Sequence, residues 1–130
     1  MNNQEIITKD LPQSFNKLLI QEAIDTVQDE AIIRVGHYKD NSLFVITDKC
    51  IWKFYIIKQT HKTSRCLFSG INYFLLRRID NSVCIALSSE PCEVMEVLFF
   101  DNIAQACEYL KILYELQVKN DLSIKEKEYN

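Results

Sequence analysis

Between Ser42 and Ile57 the chain reads Ser-Leu-Phe-Val-Ile-Thr-Asp-Lys-Cys-Ile-Trp-Lys-Phe-Tyr-Ile-Ile, two apolar runs around the polar break Thr47-Asp48-Lys49. Short runs rich in β-branched and aromatic residues, interrupted by small polar ones, form antiparallel hairpins. This stretch therefore commits the chain to a sheet. In its second arm Cys50, Trp52, Phe54 and Ile56 share one face while Ile51, Lys53, Tyr55 and Ile57 share the other, because strand side chains alternate. Trp52, the single tryptophan, is expected in the core.

The segments around the hairpin extend this pattern. Met1 to Lys9 lacks periodicity and is expected to be loose. Asp10-Leu11-Pro12-Gln13 has the composition of a helix start, and a helix over about 11–28 is predicted from Phe15, Leu18, Leu19, Ile20, Ala23, Ile24 and Val27. Ala31 to His37 is a strand candidate, and Lys39-Asp40-Asn41-Ser42 is a turn. Beyond the hairpin, Lys58 to Arg65 reads as an exposed loop or a charged sheet edge. Cys66–Ser69 and Ile71–Ile79 are strand candidates separated at Gly70, and Val83–Leu87 pairs back across Asp80-Asn81-Ser82. Ser88 to Glu93 is a loop before the strand Val94–Phe100. A closing helix over about 102–118 follows, with Asp101 as its expected cap. In that helix Ile103, Ala106, Cys107, Leu110, Leu113, Tyr114 and Gln117 define a packing face. Tyr109, Ile112 and Leu116 widen it into an arc suited to a second surface, and these three are the candidate helix interface. Residues 119–130 are polar and expected to fray. The expectation is a single globular domain over 10–118, of α+β class, with an antiparallel sheet or partly open barrel between two helices.

Composition narrows the function classes. A chain of 130 residues that is 48% apolar and 25% charged is an ordinary globular protein. No run approaches the eighteen or so apolar residues a membrane span needs, and the start lacks the basic-then-apolar order of a signal peptide, so the cytoplasm is the expected location. The five cysteines form no Cys-x-x-Cys pair, as expected of thiols in a reducing compartment. Charge is segregated. Six acids face two lysines in residues 1–30, whereas residues 49–79 hold no acid and seven bases. Lys53, Lys58, Lys62, Arg65, Arg77 and Arg78 are thus the candidate site for an anionic partner. Arg77 and Arg78 are adjacent in a strand, so only one of them can share a face with Lys53.

The run Leu43 to Tyr55, with its apolar strand, Thr47-Asp48-Lys49 turn and aromatic strand, resembles the pleckstrin-homology-like superfold, specifically its small bacterial domains. Val94–Phe100 leading directly into a helix is similar to the end of that fold, and the resemblance spans residues 30–118. It implies a scaffold that binds proteins, peptides or anionic lipids. The phosphoinositide signature is not carried over, because 31–46 offers only Arg34 and Lys39 as bases. The closing helix also lacks the tryptophan common in eukaryotic members.

No motif for catalysis or metal binding stands out. A cysteine nucleophile needs an activating base, and His37 and His61 both sit by turns. No short-spaced Cys or His set suits zinc. Tyr55, Tyr73 and Phe74 lie among bases, as stacking platforms would, but the chain is acidic overall. The expected function is a non-enzymatic binding or adaptor module without a cofactor. It would work through a protein partner and self-association by its helices, without nucleic acid, with a membrane or anionic lipid surface left open as a lesser alternative. A small immunity protein that docks its acidic first helix on a toxin is the alternative, and a thiol-dependent enzyme is the third reading.

Overall fold

The computed structural model describes residues 2–90 and 92–129, with side chains through Leu122. Met1 and Asn130, at the ends of the expected loose N-terminus and tail, and Pro91, in the expected 88–93 loop, lie outside the described residues. The fold is α+β, with two antiparallel sheets, neither closed. The elements run α1 (Asn3–Thr8), α2 (Lys17–Thr26), β1 (Ile32–Tyr38), β2 (Ser42–Thr47), β3 (Cys50–Ile57), β4 (Thr60–Leu67), β5 (Tyr73–Ile79), β6 (Ser82–Glu90), β7 (Glu93–Phe100) and α3 (Ile103–Tyr129). Strand order is β1-β2-β3-β4 in one sheet and β5-β6-β7 in the other. The chain divides into two compact units, Met1–Arg65 and Cys66–Asn130, where the sequence suggests one domain over 10–118. Each unit has its own sheet and helix, so each closes apolar surface locally.

In the first unit the hairpin pairs in the expected register, with Leu43 opposite Phe54 and Val45 opposite Trp52. That places Leu43, Val45 and Phe54 on one face, where they meet Phe15, Leu19, Ala23 and Val27 from the helical segment. The segment differs from expectation in two ways. Residues 3–8 are helical: Asn2 caps the first turn, Ile7 is fully buried in the core, and Asn3 Nδ2 donates to the Val27 carbonyl at 2.8 Å. One buried side chain and one bond to the end of α2 thus anchor a stretch that lacks a pattern of its own. The second helix begins at Lys17 because Asn16 Oδ1 accepts from the amides of Leu18 and Leu19, while the Phe15 amide turns back to the Pro12 carbonyl. Asp10 caps nothing.

The basic segment 58–65 is mainly strand: Lys58 and Gln59 form the turn with φ of 49° and 66°, and β4 follows at the end of the sheet. Two consecutive positive φ values are the signature of a type I′ hairpin, usually marked by Asn-Gly.

In the second unit the Ser88–Glu93 loop is shorter than expected, because β6 and β7 continue to a pairing of Glu90 with Glu93. A short 3-10 turn over Phe68–Gly70 sits where the break at Gly70 is predicted. Helix α3 starts with Asn102 Oδ1 accepting from the Gln105 amide, while Gln105 Oε1 accepts from the Asp101 amide. Asn102, not Asp101, is therefore the cap. The helix then runs through the stretch expected to fray. Residues 119–129 contain no glycine or proline and are rich in lysine and glutamate, which carry high helix propensity. Among the described residues no helix is long and apolar enough to cross a membrane.

Replacing Ile7 with alanine should remove about 2–5 kcal/mol of stability, the range for emptying a buried aliphatic site. Urea denaturation checks this. A loose N-terminus predicts no change.

Candidate functional site

The densest polar chemistry in the first unit gathers around Glu30, just before β1. Its Oε1 accepts from the Thr47 hydroxyl at 3.0 Å and from the Cys50 thiol at 3.1 Å, and its Oε2 accepts from the Trp52 indole at 2.9 Å. Thr47 Oγ1 accepts in turn from the amides of Lys49 and Cys50, which folds the Thr-Asp-Lys break into a tight turn. The Arg65 guanidinium lies 5.1 Å from the centre of the Trp52 ring. One carboxylate therefore ties the segment before β1 to the β2–β3 turn and to β3.

The electrostatics decide what this cluster can do. Burial pushes the Glu30 carboxyl up, but hydrogen bonds from Cys50, Trp52 and Thr47 and the charge of Arg65 together outweigh it, and the group is held below the ordinary glutamate value. For Cys50, burial pushes the thiol up; Glu30 adds to this, while Arg65 and Thr47 act the other way. The result is a thiol that donates to a carboxylate which also accepts from the Thr47 hydroxyl and the Trp52 indole. Among the described residues no group of three or more His, Cys, Asp or Glu could hold a metal ion.

The six basic candidates do not share one face. Arg65 lies on the Trp52 side of the first sheet. His61, two positions of the same parity away on β4, also faces that side and contacts Glu22 of α2 at 3.0 Å. Lys53 is on the opposite side by alternation, only 8% exposed, with its ammonium 4.6 Å from the centre of the Tyr55 ring. Lys62 shares the Lys53 side and Lys58 is in the turn. Arg77 and Arg78 belong to β5, opposite Cys84 and Val83 on the two faces of the second sheet. Period-two geometry thus separates Lys53 from Arg65, which an adjacent run of bases in the sequence conceals.

The helix interface needs a correction of phase. Tyr109 and Leu116, expected to face outward, are buried; Tyr109 lies 5.1 Å from Phe100, ring centre to ring centre. Ile112, the third of the set, is half-buried. The inward face is Ala106, Tyr109, Leu113 and Leu116, with Gln117 Nε2 donating to the Ile71 carbonyl at 2.7 Å. The outward stripe carries Ile103, Val118 and Leu122, exposed by 51%, 57% and 55%, while Tyr114 at its edge turns its ring onto Phe74 and donates its hydroxyl to the Phe74 carbonyl at 3.3 Å. An arc this wide gives no unique phase from sequence, and ring contacts with the sheet select it.

The residues missed from the sequence are Glu30 and Thr47. The signal was indirect: a core tryptophan requires an acceptor for its N–H, and nothing local points to Glu30.

Replacing Glu30 with glutamine should cost about 1–3 kcal/mol, since one amide oxygen cannot satisfy three donors, of which Thr47 and Cys50 are buried and Trp52 half-buried, and should shift Trp52 fluorescence. Because the folded carboxyl titrates below its unfolded value, its contribution is fully present above the ordinary glutamate value and is lost as pH falls through the lower folded value. Acid denaturation of wild type and Glu30→Gln should therefore converge at low pH. Native iodoacetamide mapping should label the exposed Cys92 and Cys107 well before Cys50; rapid labelling of Cys50 overturns its role as a donor. Comparison with family models, curated proteins and solved structures returns no match for this chain.

Proposed function

We propose that the chain is a non-enzymatic binding module of pleckstrin-homology-like type that acts by protein–protein contact through α3. The element order supports the fold reading: four antiparallel strands, then three, then a closing helix. The Glu30 cluster supports the non-enzymatic reading, since its thiol is a donor and its carboxylate already accepts from three side chains. Five unpaired cysteines fit a reducing compartment such as the cytoplasm.

The observation that carries the proposal is the outward stripe of α3. Val118 and Leu122 stand four residues apart, the spacing of anchors that dock a helix on an apolar surface. A 27-residue helix is about 40 Å long. Its last buried residue, among those whose side chains are described, is Leu116, so the exposed stripe continues past it. Two large apolar side chains aligned and more than half exposed, next to the Tyr114 ring edge, are a contact surface more than scattered surface hydrophobics.

A photo-crosslinking amino acid at Val118, in cells that make the protein, should give one discrete adduct. Placed at Lys9, an exposed position of the first unit, it should give none. The adduct mass separates a second copy, twice 15.3 kDa, from another protein. No adduct from either Val118 or Leu122 overturns the reading.

A further inference from the structure

Helix α3 buries Ala106, Tyr109, Leu113 and Leu116 on the side of its own sheet. The opposite side carries a stripe of Ala104, Cys107, Lys111, Glu115, Val118 and Leu122, spaced three or four residues apart, and every member is exposed. Such spacing makes a seam along which two helices can pack. The stripe runs along about 27 Å of helix. Tyr114, with its ring on Phe74, lies beside the seam and keeps its place there.

The stripe is complementary to its own reverse. The small residues Ala104 and Cys107 occupy one end, the large apolar Val118 and Leu122 the other, and Lys111 and Glu115 stand between them. If a second copy is turned end for end about a point near Leu113, Leu122 falls opposite Ala104, Val118 opposite Cys107 and Lys111 opposite Glu115. Large side chains then fill the space that small ones leave, and a lysine meets a glutamate on each side of the axis. Lys119, on the flank of the stripe, falls opposite Glu108, again of opposite sign. Neither Lys111 nor Glu115 has an ion-pair partner among the described residues. A parallel pairing in register would instead set Lys111 on Lys111 and Glu115 on Glu115, and charge selects against it.

We infer that two copies of the chain associate through antiparallel α3 helices, with Lys111 of each meeting Glu115 of the other and Val118 and Leu122 packing over Cys107 and Ala104. This rests on the reading of α3 as the contact surface and names its occupant as a second copy. The same patch serves on both sides, so the contact closes as a two-fold dimer.

Size-exclusion chromatography with light scattering on the full chain tests it. Wild type should move toward twice 15.3 kDa as concentration rises. Lys111→Glu and Glu115→Lys should each weaken the dimer about tenfold, because each turns two attractive contacts into repulsive ones. The chain carrying both substitutions should regain wild-type association, and so should an equimolar mixture of the two single variants. Circular dichroism checks that each variant keeps its helix. A second readout reports the register. In a Cys92→Ser background, Val118→Cys treated with oxidised glutathione should give an interchain disulfide that peptide mapping assigns to positions 107 and 118, and the same background with Val118 intact should give far less. A wild type at the single-chain mass at every concentration overturns the inference, and the crosslink at Val118 then decides whether another protein takes the stripe. A dimer that both single variants leave intact also overturns it and moves self-association to another surface. A double variant that stays weak, or a dimer without the 107–118 disulfide, refutes the antiparallel pairing.

Discussion

The order of the first unit depends on one carboxylate. Glu30 sits between α2 and β1, and its two oxygens accept a hydroxyl, a thiol and an indole hydrogen from the β2–β3 region. A buried acceptor set of this kind is costly to leave half satisfied. It fixes where β1 begins, closes the Thr47 turn and holds Trp52 in one orientation. Glu30 stays ionised because its donors and Arg65 outweigh the burial that disfavours charge. Burial and the neighbouring carboxylate raise the Cys50 thiol, which donates to Glu30 as the cluster joins the segment before β1 to the β2–β3 turn.

The sequence made the hairpin legible because alternation and hydrophobicity agree there. Leu43 and Val45 must face the core if Trp52 and Phe54 do, and the register follows. Legibility fails where order comes from a distance. Residues 3–8 are helical because Ile7 reaches the core and Asn3 reaches Val27, twenty-four positions away, and no local pattern encodes either contact. The turn at Lys58 and Gln59 takes positive φ without glycine or asparagine, so the chemistry that usually announces a type I′ hairpin is missing. Asn102 rather than Asp101 caps α3 because the paired glutamine stands three residues beyond it, a distinction that one position decides.

Helix α3 shows a different limit. Its apolar residues cover more than half the wheel, so periodicity predicts a helix but leaves its rotation open. The sheet sets the rotation through Phe100 against Tyr109 and Phe74 against Tyr114. The residues assigned from sequence to a second surface are turned inward or sideways, and part of the expected packing face turns out. An over-wide arc cannot be buried on one flat sheet whichever way the helix turns, and here Val118 and Leu122 are left exposed. The basic candidates fail differently: contiguity in sequence suggested one patch, and strand alternation divides it between faces.

The second sheet completes that argument. Its central strand buries Ile85 and Leu87 toward α3, and Cys84, Ala86 and Ser88 on the other side. Large residues on one face and small ones on the other make the sheet asymmetric. The large face holds the chain's own helix, and the small-residue face is closed to solvent as well, with Cys84, Ala86 and Ser88 exposed by 2% or less. All of Val83 to Ser88 is buried, so this strand is covered on both faces and shows none of the polar-out alternation by which a half-buried strand is read from sequence.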